Sequence, residues 1–261
     1  MKIITWNINS VRLRLPLVLK LLAEQQPDIL CLQETKCPDE AFPAEAFIAA
    51  GYPHLAYRGE KGYNGVATIA RLPIRSSDHA YWAQKQDCRH LSVELNNDLI
   101  IDNFYIPAGG DVPDADVNDK FAHKLQFLAE LAEWSARRDH GRPGVLLGDL
   151  NIAPREDDVW SHKQLLKIVS HTPVEVDALN RIMEDGQWHD AVRLAIPDGK
   201  LYSWWSYRAR DWAAADKGRR LDHIWVTPPL RDKIADAEVI KSARGWEKPS
   251  DHAPVVIRLN I

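Results

Sequence analysis

Cysteine is scarce in this 261-residue chain: Cys31, Cys37 and Cys88 cannot all pair with one another, and none forms a C-x-x-C unit. A disulfide framework and a thiolate zinc site are therefore not expected. Long apolar runs are missing as well. None approaches the ~20 residues needed to cross a bilayer, and Met1-Lys2-Ile3-Ile4-Thr5-Trp6-Asn7 is too short for a signal-peptide core. A cytoplasmic protein with no membrane partner is expected. Charge of one sign is also lacking: 33 Lys+Arg against 37 Asp+Glu leave a net charge of −4, which excludes nucleic-acid binding through a uniformly positive surface. No repeat, low-complexity tract or linker-like Gly/Ser/Pro segment interrupts the sequence. Residues 1–261 are expected to form a single, monomeric domain, a size that sandwiches and barrels reach as one unit.

What is present is a hydrophobic fraction of 45% and a charged fraction of 27%, ordinary for a globular protein. Short Val-, Ile- and Leu-rich runs bounded by Gly, Pro, Asn or Asp predict strands at Lys2–Ile8, Asp28–Gln33, Gly65–Ala70, Leu91–Leu95, Leu99–Ile106, Val145–Gly148, Leu221–Val226 and Pro254–Leu259. Asn96-Asn97-Asp98 fits a hairpin turn. A helix is predicted over Asp119–Arg138, where Phe121, Leu125, Leu128, Leu131 and Trp134 recur at three- and four-residue steps. Others are predicted from near Pro16 to Pro27 and from Glu175 to Glu184. Strands follow one another without a helix between several of them, so the fold class is mixed α/β.

Isolated polar residues mark the strand ends. Asn7 follows Ile3-Ile4-Thr5-Trp6, Gln33-Glu34 end Ile29-Leu30-Cys31-Leu32, Asp149 and Asn151 follow Val145-Leu146-Leu147-Gly148, and Asp251-His252 precede Ala253-Pro254-Val255. Carboxylates beside apolar strands need a partner, a proton or a metal. If extended geometry continues through Leu150, Asp149 and Asn151 face the same side. Oxygen donors without Cys or paired His suit Mg²⁺, with Mn²⁺ as substitute, rather than zinc. The loop Gly59-Glu60-Lys61-Gly62-Tyr63-Asn64-Gly65 lacks the order of a P-loop, although its backbone amides and Lys61 can meet a phosphate.

Six segments, Trp6-Asn7-Ile8-Asn9-Ser10-Val11-Arg12, Leu32-Gln33-Glu34-Thr35-Lys36, Gly62-Tyr63-Asn64-Gly65-Val66-Ala67, Gly148-Asp149-Leu150-Asn151-Ile152-Ala153-Pro154, Arg220-Leu221-Asp222-His223-Ile224 and Pro249-Ser250-Asp251-His252-Ala253-Pro254-Val255, occur in an informative order. In content and spacing they resemble the exonuclease III family of the endonuclease/exonuclease/phosphatase superfamily. The resemblance implies a four-layer α/β sandwich, two packed mixed β-sheets flanked by helices, and Mg²⁺-dependent hydrolysis of DNA phosphodiesters. It implies Glu34 as the principal metal ligand, with Asn7 and Asp251 near the metal, and extends the metal set to Asp149, Asn151 and His252. It makes Asp149 the base that orients or deprotonates water, Asn151 and Tyr105 phosphate contacts, His252 a second phosphate-side group, and Asp222 the partner of His252. Relatives often carry Asn or Gln after the Pro of Phe104-Tyr105-Ile106-Pro107, where this chain has Ala108.

Local charge is grouped. Trp204, Trp205, Tyr207, Arg208, Arg210, Trp212, Lys217, Arg219 and Arg220 precede Asp222, and Lys241, Arg244, Trp246 and Lys248 precede Asp251. Basic groups neutralise phosphates and aromatic faces stack on bases. Duplex DNA with abasic sites or 3′ ends is the implied substrate, contacted by Arg12, Lys61, Asn64, Trp204, Trp212, Arg219 and Leu221. Lys120 and Lys124 are weaker phosphate candidates, with Lys124 expected on a solvated helix face. The segment 157–174 is where substrate choice is expected to be set, a bulky His171 restricting internal abasic sites while leaving 3′ ends accessible. Two other functions share the motifs: a phosphatase or phosphodiesterase for a non-DNA ester, and a catalytically silent DNA-binding module.

Overall fold

Strands Lys2–Asn7 and Ile29–Gln33 run in parallel, from Ile3 against Ile29 to Asn7 against Gln33, in a computed structural model that describes residues 1–261. Val255–Leu259 and Tyr63–Ala70 flank this pair antiparallel, and Ile234–Val239 and His54–Glu60 complete a six-stranded sheet as its edges. The second six-stranded sheet repeats the plan. Its parallel pair is Ile100–Tyr105 with Gly144–Asp149, its antiparallel flanks are His90–Leu95 and Asp222–Val226, and its edges are Ile74–Asp78 and His189–Asp190.

The sheets pack through one cluster of 22 buried residues that includes Ile3, Ile29, Val66, Val93, Ile101, Val145, Ile224 and Ile257. Each such side chain contributes about 1.5–3 kcal/mol on leaving water. Helices Val11–Gln25 and Ala44–Ala49 cover the outer face of the first sheet through Val18, Leu21 and Phe47. Helices Asp119–Ala136 and Pro173–Asp185 cover the second through Phe127, Leu131 and Leu179. The expected four layers are thus present, and no helix is long and apolar enough to cross a membrane.

The central strands are buried on both faces, which is why they read as apolar runs. Edge strands Ile74–Asp78 and Ile234–Val239 are largely exposed and carry Arg, Ser, Asp and Glu, so they give no such signal. The first helix begins at Val11, earlier than Pro16 implied, because the chain kinks at Arg14 and Pro16 sits just beyond the break. The third predicted helix begins two residues early, with Thr172 and Glu175 in a capping box around Pro173. At Asn96-Asn97-Asp98 the expected turn forms, Asp98 N–H donating to the Leu95 carbonyl.

Both parallel pairs end at the same edge of the sandwich. Asn7 lies opposite Gln33 in one sheet, and Tyr105 opposite Asp149 in the other. Gly148 permits this close approach: its φ is +135°, and a Cβ there would lie 1.9 Å from the Phe104 carbonyl oxygen. Beneath the edge, Gln33 Nε2 donates to Thr5 Oγ1 (2.9 Å) and, across the sheets, to Asn103 Oδ1 (2.7 Å). Asn103 returns hydrogen bonds to the Leu32 and Ala67 carbonyls.

The segment leading into Asp222 is fixed by a buried ionic cluster. Asp158 accepts from Arg220 Nε (2.8 Å) and Nη2 (2.9 Å) and from Arg193 Nη2 (2.5 Å), and Arg220 also pairs with Asp190. Burial alone would raise the Asp158 pKa, but the two guanidinium groups pull it from 3.8 to about 2. The unfolded chain therefore takes up this proton first, and the contribution of Asp158, about 2 kcal/mol, is complete above pH ~4 and lost between ~4 and ~2. In urea unfolding, Asp158→Asn is expected to cost about 3–5 kcal/mol near neutral pH, with a smaller deficit relative to the parent at pH ~2.5.

Candidate active site

At the shared strand edge, Asn7 is fully buried and its Nδ2 donates to Glu34 Oε1 (2.9 Å) in its own sheet and to Asp149 Oδ2 (2.8 Å) in the other. Its Oδ1 accepts from Asn9 N–H at 3.1 Å. Glu34, in the left-handed region at φ +50°, remains partly open to solvent. Burial works against its charge, but the Lys36 ammonium, 2.6 Å from Oε2, and the Asn7 amide hold its carboxyl below the usual range. Lys36 also donates to Asn9 Oδ1. Asp251 is half-buried and accepts from Trp204 Nε1 (3.0 Å) and Asn9 Nδ2 (3.3 Å).

His252 lies between two carboxylates, with Nδ1 2.8 Å from Asp222 Oδ2 and Nε2 3.7 Å from Asp149 Oδ2. Burial opposes its charge, yet Asp222 and then Asp149 raise its pKa to about 10. Ser203 Oγ fixes Asp222 by donating to Oδ2 at 2.6 Å while accepting the amides of Leu221 and Asp222. Asp149, Asp222 and His252 have donor atoms within 4.8 Å of one another. Their spacing is one that could hold a metal ion, with His252 Nδ1 already paired with Asp222. Glu34, Asn7 and Asp251 offer oxygen donors of the kind a hard divalent cation takes.

Burial raises the Asp149 pKa to about 7, against the opposing pull of His252. Tyr105 is buried, and desolvation followed by the charges of Glu34 and Asp149 keeps its phenol protonated far above the usual range. The Arg89 guanidinium lies 4.7 Å from the Tyr105 ring centroid.

Other expectations change with the geometry. Extended backbone does not continue through Leu150. The strand stops at Asp149, Asn151 turns to φ +54°, and its N–H donates to Asp149 Oδ1. Asn151 Nδ2 donates one hydrogen to the Ile106 carbonyl at 2.9 Å, leaving the other for a ligand. Asn64 is 1% exposed and its Nδ2 donates to Glu60, so it is withdrawn from the DNA-facing surface expected for it. Leu221 is likewise buried, packed with Ala153, Val159 and Leu165 against Trp160 and Trp204. Arg12 and Lys61 are exposed, and Trp204 and Trp212 half-buried. Arg219 stacks over Trp204 and donates to the Val169 carbonyl and Ser170 Oγ. His171 is almost fully buried, pinned between the Ala153 carbonyl (2.6 Å) and His162 Nδ1 (2.8 Å), so it does not project as the bulky side chain expected to restrict internal abasic sites.

Lys124 is the clearest reversal: it is 0% exposed and bound to Glu175, not on a solvated face. The sequence held the signal. Lys124 falls three residues after Phe121 and four before Leu128, within the apolar stripe of its helix. Ser203 had no such signal, because its partner Asp222 reaches it only through tertiary packing.

Two helix-flanked sheets with carboxylates, a charged histidine and a phenol at one shared strand edge define a class of hydrolases. The endonuclease/exonuclease/phosphatase family model matches residues 4–252, and the chain belongs to this family, in its exonuclease III branch. Its sequence is 30% identical to exodeoxyribonuclease III of Haemophilus influenzae over 98% of both chains. Among solved structures, a 3′ phosphatase from Neisseria bound to a product DNA hairpin has a TM-score of 0.93 at 33% identity. An AP endonuclease from Archaeoglobus fulgidus has a TM-score of 0.94 at 33% identity, and both alignments cover 100% of each chain.

The His252–Asp222 pair makes a spectroscopic prediction. In the metal-free protein, the His252 imidazole is expected to stay charged in NMR titrations until well above neutral pH. Asp222→Asn should lower its midpoint by about 1–3 units, and an unchanged midpoint would contradict the pairing.

Proposed function

We propose that the chain is a Mg²⁺-dependent DNA-repair hydrolase that cuts phosphodiesters 5′ to abasic sites and clears nucleotides or phosphate from 3′ ends of duplex DNA. The observation that carries this reading is the Asn7 amide bridging Glu34 and Asp149 from opposite sheets. It unites a cation-binding carboxylate with a water-activating one. Membership of the exonuclease III branch and the likeness to a DNA-bound 3′ phosphatase support DNA as substrate.

Glu34, Asn7 and Asp251 would hold Mg²⁺, for which Mn²⁺ substitutes. The bound cation would polarise a phosphate oxygen and stabilise the leaving oxygen. Asp149, with a pKa lifted towards neutrality, orients a water and takes its proton. The His252 imidazolium offers its Nε2–H to a phosphate oxygen, charge complementing the transition state. Tyr105 and the free amide hydrogen of Asn151 donate to the same phosphate. Arg12, Lys61 and Arg219 supply charge for the DNA backbone, Trp204 supplies aromatic surface beside Asp251, and Trp212 supplies it next to Trp205 and Arg244. With the His171 side chain buried, a restriction on internal abasic sugars would have to come from the main chain of the segment that carries it.

Three labelled duplexes test this reading: one with an internal abasic site, one with a plain recessed 3′ end and one with a 3′-phosphate. All three should be hydrolysed with Mg²⁺ and none with EDTA, the internal abasic site more slowly than the recessed end. Glu34→Gln should lower turnover about 10³-fold, the loss of several kcal/mol of charge stabilisation. Turnover that survives EDTA, or activity confined to non-DNA esters, would overturn the reading. Equal rates on the abasic and recessed substrates would remove that restriction.

A further inference from the structure

We propose that the buried Lys124–Glu175 ion pair is a positioning device: it sets the main chain of Asn151 and couples it to the loop 169–172. The inference rests on the phosphate-contacting role given above to Asn151, and it extends that reading to two residues that touch no substrate.

Lys124 has three ammonium hydrogens and three acceptors. Nζ lies 2.6 Å from Glu175 Oε1, 2.8 Å from the Asn151 carbonyl and 3.3 Å from the Ala108 carbonyl. These two carbonyls belong to the segments that leave the parallel strands Ile100–Tyr105 and Gly144–Asp149. One buried cation therefore grips the chain just beyond both Tyr105 and Asp149.

Asn151 needs such a grip. Its backbone is left-handed, at φ +54°, a conformation that asparagine adopts more readily than other residues with a side chain but that still needs its partners to hold one orientation. Three contacts do so: its N–H to Asp149 Oδ1, its Nδ2 to the Ile106 carbonyl, and its carbonyl to Lys124. Gly109, at φ +91°, closes the loop over the lysine stem, where a Cβ would lie 2.9 Å from Lys124 Cδ. The stem has no room to swing away.

Glu175 carries the coupling. Its oxygens accept Ser170 N–H (2.9 Å), Thr172 N–H (3.2 Å) and Thr172 Oγ1–H (2.6 Å), on both sides of His171. The two segments are laced directly as well: Ala153 N–H donates to the Ser170 carbonyl at 2.8 Å, and His171 Nδ1 pairs with the Ala153 carbonyl. Displacing the ion pair thus moves the Asn151 amide and the loop that carries His171 together. A packed apolar pair would match an ion pair in stability, but it would have no directional bond to orient two carbonyls.

Kinetics of three variants test this. Lys124→Met breaks the pair, and Lys124→Met with Glu175→Met replaces it by apolar bulk. Arg138→Met is the control, stripping the buried Asp102 of its cation just past the same helix. Lys124→Met should lower kcat about 10²-fold on a 3′-phosphate duplex, with KM and the Mg²⁺ concentration dependence nearly unchanged. The double variant should regain melting temperature without regaining kcat. Arg138→Met should lose stability but keep kcat. Recovery of kcat along with stability in the double variant, or an equal kcat loss in Arg138→Met, would reduce the pair to a structural role and overturn the proposal. Amide exchange at 151–153 and 169–172 gives a second readout, independent of catalysis. It should accelerate in Lys124→Met, and unchanged exchange overturns the proposal even if the parent protein hydrolyses no DNA.

Discussion

One carboxamide nitrogen holds the working edge of this protein together. Asn7 places its two Nδ2 hydrogens on carboxylates that belong to different sheets, Glu34 and Asp149. Two carboxylates brought this close repel each other, and the repulsion grows as water is excluded. A shared donor between them lowers that cost and fixes the spacing of the sheets where spacing matters. Gln33 and Asn103 repeat the device one layer down, crossing the same seam by hydrogen bonds among apolar strands. The apolar core makes the sandwich stable; these amides set its register.

With the sheets so placed, Asp149 and His252 can differ in protonation although they lie 3.7 Å apart. Burial lifts the carboxyl towards neutrality, and Asp222 holds the imidazole charged. Opposed environments let adjacent titratable groups differ in protonation without being separated in space. The net charge of −4 has the same origin in part. Glu34, Asp149, Asp222 and Asp251 gather at one edge, where Lys36 and His252 offset them locally, while Arg12, Lys61, Arg208 and Arg210 stay exposed.

The central strands and most site residues were legible in the sequence because one cause produces both signals. A strand buried on both faces must be apolar, and a polar residue ending it must have a reason to be there. Asn7, Glu34, Asp149 and His252 met that condition and converge. Legibility fell where a residue answers to something distant in the chain. The edge strands are polar because only one side is paired. Asn64 is a separate case: its partner Glu60 is only four residues away, but nothing in the local motif says that the side chain turns inward. Lys124 was misplaced because its partner is 51 residues away on another helix, although its position on the apolar stripe marked it as a charge needing a counter-charge.

Two of the buried ionic clusters share a feature that stability does not explain. Asp158 with Arg193 and Arg220 fixes the chain just before Asp222, and Lys124 with Glu175 fixes the carbonyl of Asn151. Apolar replacements would be equally stable in general, since desolvation consumes most of the attraction within a buried ion pair. Directed bonds are what charge adds. A guanidinium or ammonium surrounded by fixed acceptors allows one arrangement of the neighbouring main chain, where packed methyl groups would allow several. On the proposed function, a displacement of 1 Å at either place would misalign the Asn151 amide or the Asp222–His252 pair, and such errors cost about 10²-fold in rate. Buried charge beside the site therefore trades a neutral contribution to folding for a single geometry in the loops that carry Asn151 and Asp222.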